Sequence, residues 1–364
     1  MTSNLGGRSI AIWADLKSGP TISAIPQSAT KLEVHFNYWH VKSQKAVKGK
    51  AVDFFDIGIM AYSCEKLSRI QIYLPTNLEA ASITDLGSLF SDAITASGIF
   101  NESLAVTTTQ NSNHVILQNG NALFARVYIF EKNEIRVSPA GSGTIVEIPQ
   151  TAITNGCTGN TTNTPLYFRL RVLIKTENGG PFSRTIRPAD SWLLSSFDYT
   201  EFLDFRLNEA RNLPILISQK VRQSNPPPIT RVDYLVVVGE AADVAGGVDA
   251  NKKRLLENEL WQKYTASASA APLPDGMIIH HWKKLSNDES VSIGDFSAFI
   301  KLKIRRTGRS LVWRYLAVVA LIGCLGSLMA SVIWTKFELE SKLKPTPNST
   351  QPKANINSAP NKNE

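Results

Sequence analysis

The sequence predicts an α+β protein: a predominantly antiparallel β body with a few helices, followed by one C-terminal transmembrane helix. Three observations carry that expectation. Residues 315–334 contain no charged side chain, apolar and polar residues alternate over several separate stretches before residue 305, and helical spacing is confined to short segments. Twenty residues at a rise of 1.5 Å span about 30 Å, the hydrocarbon thickness of a bilayer. Alternation with a period of two is the signature of a strand with one apolar face, and it favours antiparallel pairing.

Taken in order, the first strand comprises Leu32, Val34, Phe36 and Tyr38, alternating with Glu33, His35, Asn37 and Trp39 on an expected wet face. Ile70, Ile72 and Leu74 repeat the pattern. After a cap at Thr84, Leu86, Leu89, Phe90, Ala93 and Ile94 recur at helical spacing, with Gly98 as the stop. Segments 124–130 and 134–137 read as a hairpin, and Gly141-Ser142-Gly143 as a hairpin turn. Leu166, Phe168, Leu170, Val172 and Ile174 form the strongest strand, set against Tyr167, Arg169, Arg171 and Lys175. Segments 199–213 and 249–264 are expected to be helical, while 232–238 and 277–282 are apolar enough for buried strands. Residues 296–305 alternate again, as the last strand before the membrane.

Pro226, Pro227 and Pro228 cannot continue a helix or a sheet. They mark either a boundary between a β-rich domain at 1–223 and a small second domain at 224–305, or a surface loop within one body. A basic juxtamembrane segment at 306–314, the span at 315–334 and a disordered tail at 335–364 complete the layout.

Charge distribution sets the expected topology. Of a net +8, residues from 301 onward hold 11 basic and 3 acidic side chains, leaving 28 of each sign before them. A neutral body argues against general nucleic-acid binding, which needs a basic footprint in the folded domain. The surplus sits at the membrane junction, in Lys301, Lys303, Arg305, Arg306, Arg309 and Arg314. Positive residues stay on the cytoplasmic side, so the body is expected in the cytosol and the C-terminus outside, as in a cell inner membrane. The same cations either only signal topology or also hold the adjoining segment on anionic lipid. The first twenty residues hold no signal-peptide core, and Cys64, Cys157 and Cys324 are too scattered for a disulfide framework, which suits a reducing compartment.

No catalytic motif emerges. The glycines at 239, 246 and 247 lack the spacing of a phosphate-binding loop, and Gly141-Ser142-Gly143 lacks the flanks of a nucleophile elbow. His35 and His40 face opposite sides of a strand, as do His280 and His281, so neither pair forms a metal site, and no cofactor is implied. Lys42, Lys45, Lys48 and Lys50 could grip a phosphate-bearing ligand, but read better as a solvated loop between two strands. Arg169, Arg171, Arg184 and Arg187 either recognise an anion or pair with Asp190, Asp198 and Glu201, and residues 204–211 read as a salt-bridged element.

The membrane helix is the most specific element. Ala317, Ala320, Cys324, Ser327 and Ser331 follow 3-4-3-4 spacing, and Gly323, Gly326 and Ala330 widen that stripe. Small faces let helix backbones approach closely, so the expected partners are the bilayer and either a second copy or another membrane protein. The sequence therefore reads as a non-enzymatic, self-associating membrane-anchored binding protein with an unidentified cytosolic ligand. In a bacterium that layout would suit a membrane-perturbing effector, for example in defence against phage. The alternatives are a docking subunit of a larger membrane assembly and an anchored enzyme whose site forms only in the fold.

Overall fold

In a computed structural model of the chain, the described residues are 8–17, 30–41, 53–108, 112–160, 164–174, 181–186, 198–239, 242–247, 250–266, 273–305 and 309–343. The chain divides into two units, Met1–Arg306 and Thr307–Glu364. The first is built on three sheets and is predominantly antiparallel. Among its described residues the second contains a single long helix.

The central sheet has ten strands. Along its main path lie β16 (Lys252–Leu255), β17 (Ile278–Leu285), β14 (Ile229–Val238), β2 (Leu32–Trp39), β3 (Phe54–Ala61), β11 (Leu166–Leu173), β8 (Ala122–Tyr128), β7 (His114–Asn119) and β6 (Ala105–Thr108), with β5 (Ile83–Asp85) paired to β11 off that path. All ladders in it are antiparallel except β14 with β2 and a two-residue contact of β11 with β8. One four-stranded sheet orders β1 (Ala11–Leu16), β4 (Leu67–Leu74), β10 (Gly143–Ile148) and β9 (Arg136–Ala140). The other orders β12 (Ser183–Ile186), β13 (Asp198–Leu207), β18 (Phe296–Arg305) and β15 (Ala242–Gly247).

Val34, Phe36, Phe55, Ile57, Phe168, Leu170, Tyr234 and Val236 project from one face of the central sheet. They pack against Ile12, Ile70 and Ile72 of the first small sheet and Phe205, Ile300 and Leu302 of the second. This is the main core, and it uses the apolar half of each alternation. The other half is not wet: His35, Asn37, Trp39, Tyr167, Arg169 and Arg171 are all buried. Helices α1 (Ala93–Phe100) and α4 (Asn258–Thr265) explain this, because each closes an apolar cluster over that face. Trp261 and Tyr264 of α4 cover Trp39, Phe54 and Val237. Ala96 of α1 packs with Met60, Phe90 and Tyr167. Polarity marked the face correctly, but its partners are side chains and not water.

Several local expectations are corrected. Thr84 lies in β5, opposite Arg171, and α1 starts later, where the Asp92 carboxylate accepts from Thr95 N at 3.1 Å. It ends at Asn101, whose φ of 54° provides the left-handed stop, rather than at Gly98. Segment 199–213 is mainly β13, which pairs with β18 over ten residues because Leu203, Phe205 and Leu207 repeat at a period of two. Segment 249–264 splits into β16, which completes a ladder with β17, and α4. Strands β8 and β9 do not pair with each other, since β8 pairs with β7 and β9 with β10. The β9–β10 hairpin turns at Gly141, φ 62°, as the Gly-Ser-Gly spacing suggested. Strand β14 follows the proline run and pairs with β2, so residues from 229 on complete sheets begun before 223.

Cys64 and Cys157 form a disulfide with a Cα–Cα distance of 6.7 Å across a sequence separation of 93. Helix α2 (Gln150–Cys157) brings its last residue to the turn after β3, which spacing along the chain could not show. The third short helix, α3, is Ile215–Gln223.

Helix α5 runs Arg309–Leu343, and Val312–Leu343 within it is long and apolar enough to cross a membrane. It exceeds residues 315–334 at both ends. Residues 335–343 of the expected disordered tail are therefore helical, with Lys342 and Glu338 paired at i, i+4. Residues 344–364 lie outside the described set.

Candidate functional site

Cross-strand register builds the buried polar face in rows. One row runs Lys283, Asp233, His35, Gly58 and Arg169; its neighbour runs His281, Leu235, Asn37, Asp56 and Arg171. A third holds Leu285, Arg231, Glu33, Met60 and Tyr167. A cavity of about 840 Å³ opens over these rows, walled by Ile99, Phe100, Asn101 and Glu102 at the end of α1, by Leu123 and Phe124 of β8, and by Lys252 and Arg254 of β16. Arg254 donates to Asn101 Oδ1 at 3.1 Å across one edge.

Beside the cavity, under α4, lies a buried ion-pair network. Arg171 donates to Asp56 through Nε at 2.7 Å and Nη2 at 3.0 Å. Tyr264 Oη and Trp39 Nε1 also donate to Asp56, at 2.7 and 3.1 Å, so this carboxylate is fully engaged. The Arg171 guanidinium lies 4.3 Å from the Phe54 ring centroid and 4.8 Å from that of Tyr264. These partners replace those anticipated for the arginines. Arg184 is exposed on β12, and Arg187 and Asp190 lie outside the described residues.

Arg169 is 0 % exposed and lines the cavity floor. Its Nε donates to Tyr264 Oη at 3.0 Å, Nη1 to Tyr167 Oη at 3.3 Å, and Nη2 to the Asn37 carboxamide oxygen at 2.9 Å, with that amide turned to donate its nitrogen to Phe36 O. Among the described residues no carboxylate lies within ion-pair distance of it. Gly58 makes its position possible. A Cβ there would stand 2.1 Å from Tyr167 Oη and 2.8 Å from Arg169 Nη1, so only a glycine lets both side chains lie across the sheet.

Farther along the row, Asp233 is held by Arg231 and by His281 Nε2 at 2.8 Å. Burial alone would push its carboxyl up, but His281, His35 and Arg231 hold it down to about 2. Burial, opposed by Asp233, lowers His35 to about 3, so its ring is neutral near pH 7. Both shifts act in one direction. The unfolded chain takes up protons below pH 6.5 at His35 and below about 4 at Asp233 that the folded body refuses, so stability falls as pH drops through that window. His35→Gln is expected to flatten the acid limb of stability between about pH 3 and 6.5. Thermal unfolding of the detergent-solubilised chain against pH checks it, and an unchanged limb would refute the assignment.

The opposite face of β2 carries a second polar group. His40 Nδ1 lies 3.3 Å from Asp53 Oδ2 and Nε2 3.5 Å from Glu201 Oε2, all three residues buried. Their ligand-type atoms fall within 4.8 Å of one another, a spacing compatible with a metal ion. However, the two ring nitrogens face different carboxylates, so the imidazole links them and ties the central sheet to β13. One ion would need a single nitrogen and both carboxylates turned to a common point.

The residues singled out from sequence fall elsewhere. Lys301 and Lys303 point outward from β18, because Ile300, Leu302 and Ile304 fill the core face. Arg305 and Arg309 begin and end the short link from β18 to α5, Arg306 lies outside the described residues, and Arg314 is an exposed residue of α5. Ala317, Ala320, Gly323, Cys324, Gly326, Ser327, Ala330 and Ser331 all lie on α5 and are exposed. Lys42, Lys45, Lys48 and Lys50 lie outside the described residues. The residues of 204–211 do pair internally: Arg206 with Asp204 and Glu209, and Arg211 with Glu209. The cavity floor was missed because Glu33, His35, Arg231, Asp233 and His281 come from three strands far apart in sequence. The polar half of the alternation was its only trace.

The fold therefore combines a mostly antiparallel and mixed β body with one C-terminal apolar helix, an arrangement that fits a membrane-anchored protein. No protein-family model matches the chain, and no curated protein matches it.

Proposed function

We propose that the protein is a single-pass, membrane-anchored binding protein whose body takes a small ligand in the cavity over the central sheet. The observation that carries this reading is the cavity itself: about 840 Å³ with a floor of ordered polar side chains and a partly apolar wall. That combination is characteristic of small-molecule sites.

Helix α5 anchors the body and associates with a second copy through its small face. The basic residues ahead of the span support a cytosolic body. In a reducing cytosol Cys64 and Cys157 would face each other as thiols. Linking cavity occupancy to helix association would make the chain a membrane effector.

Native mass spectrometry of the full chain in nanodiscs tests both parts at once. The expected result is a dimer or higher assembly carrying a retained small molecule. Leu123→Trp, which narrows the cavity from a partly exposed position, should remove the small molecule but not the assembly. Gly326→Leu should do the reverse. A monomer with no bound mass in any preparation would sink the reading.

A further inference from the structure

Hydrogen-bond donors on the cavity floor outnumber their acceptors. A guanidinium carries five N–H groups, and the three hydrogen bonds of Arg169 to Tyr264, Tyr167 and Asn37 use three. One N–H on each terminal nitrogen is left without an acceptor among the described residues. Tyr167 Oη accepts from Arg169 and lies 3.4 Å from His35 Nδ1. The Asp233 carboxylate on the other side of the ring, 3.8 Å from Nε2, favours the tautomer with the proton on Nε2, in which Nδ1 accepts from Tyr167. His35 Nε2 is buried with no hydrogen-bond partner, in a residue 8 % exposed that lines the cavity. The nearest carboxylate oxygen, on Asp233, is 3.8 Å away, beyond hydrogen-bond range.

Charge tells the same story. Among the described residues Asp56 is the carboxylate that faces the two buried arginines 169 and 171, and it is fully engaged by Arg171, Tyr264 and Trp39. A buried cation without a counterion is costly, and a fork of unpaired N–H groups matches the two oxygens of a carboxylate or phosphoryl group. Phe100, Phe124 and Met60 line the same cavity and offer an apolar surface to the rest of a ligand.

Building on the cavity reading above, we propose that the ligand is a small organic anion, its carboxylate or phosphoryl oxygens bound by Arg169 and His35 and its apolar part against Phe100, Phe124 and Met60. The bound anion supplies the counterion that Arg169 lacks in the fold and the acceptor that His35 Nε2 lacks.

The test uses the full chain in detergent and four phenyl probes: phenyl phosphate, and the near-isosteric set of benzoate, neutral benzamide and cationic benzamidine. At about ten times Kd, a probe should raise the unfolding midpoint by about 3 °C. A ligand of some ten heavy atoms should bind in the millimolar range, so titration to about 20 mM suffices. Phenyl phosphate or benzoate should stabilise, and which of them does so more strongly identifies the oxyanion. His35→Gln should weaken that response about three- to tenfold, and Arg169→Met should abolish it.

The comparison among probes on the unsubstituted protein does not depend on either variant folding. Stabilisation by benzamide or benzamidine equal to that by the anions, removed by Leu123→Trp, would overturn the anion proposal while leaving the binding cavity in place. No response to either anion at about 20 mM overturns the proposal as well, and the retained mass seen by native mass spectrometry then decides whether the cavity reading survives.

Discussion

Asp56→Asn is expected to destabilise the body by about 3–5 kcal/mol, the usual cost of stripping a buried ion pair of one partner. Four donors converge on this carboxylate from Arg171, Tyr264 and Trp39. An asparagine keeps the shape but turns an NH2 toward groups that can only donate, and it leaves two buried guanidinium groups with no negative charge between them. Because Tyr264 is the residue by which α4 reaches the network, the helix should loosen with it. Thermal unfolding of the detergent-solubilised chain, compared with the parent, reads the effect. A loss below about 1 kcal/mol would mean that water already screens the arginines, contrary to their burial.

Arg169→Met should have the opposite sign. Removing this guanidinium leaves Arg171 and Asp56 as a neutral pair, and it orphans no donor: Tyr264 still donates to Asp56 and Tyr167 to His35. Only acceptor capacity is lost, chiefly on Asn37. The unliganded protein is therefore expected to gain about 1–2 kcal/mol while losing its response to anions, the trade typical of a site kept strained for binding. A loss of more than about 2 kcal/mol would make Arg169 a structural residue and remove the premise of the anion site. Combining the two substitutions should give less than the sum of the separate effects, since both act on one charge cluster.

The two substitutions also show why the site was only half legible. Arg169 and Arg171 were noticed as guanidinium groups on the strongest strand, suited either to an anion or to carboxylate partners. Of the carboxylates expected as partners, Glu201 lies beside His40 instead. The true partner, Asp56, sits 115 residues from Arg171, and Tyr264 sits 208 residues from Asp56. Cys64 and Cys157 mislead in the same way, since their distance along the chain says nothing about the turn and helix end that meet in space.

Sequence alone determined what depends on a residue and its near neighbours. The uncharged run in α5 specifies a span by hydropathy and length, a nearly continuous apolar run specifies β14, and period-two alternation specifies β2, β11 and β18, because a strand places successive side chains on opposite faces whatever it pairs with. Gly141 specified its turn through backbone freedom. Tertiary structure decided the rest. Whether a polar face meets water or a helix depends on what packs over it, so the face of His35, Asn37 and Arg169 became a buried floor only when α1 and α4 closed over it. Segment 199–207 became a strand because β18 offered a ten-residue ladder from nearly a hundred positions away. An uncompensated cation beside an unpartnered imidazole exists only where register sets β2, β3 and β11 side by side, and no periodicity within one strand encodes the register between three.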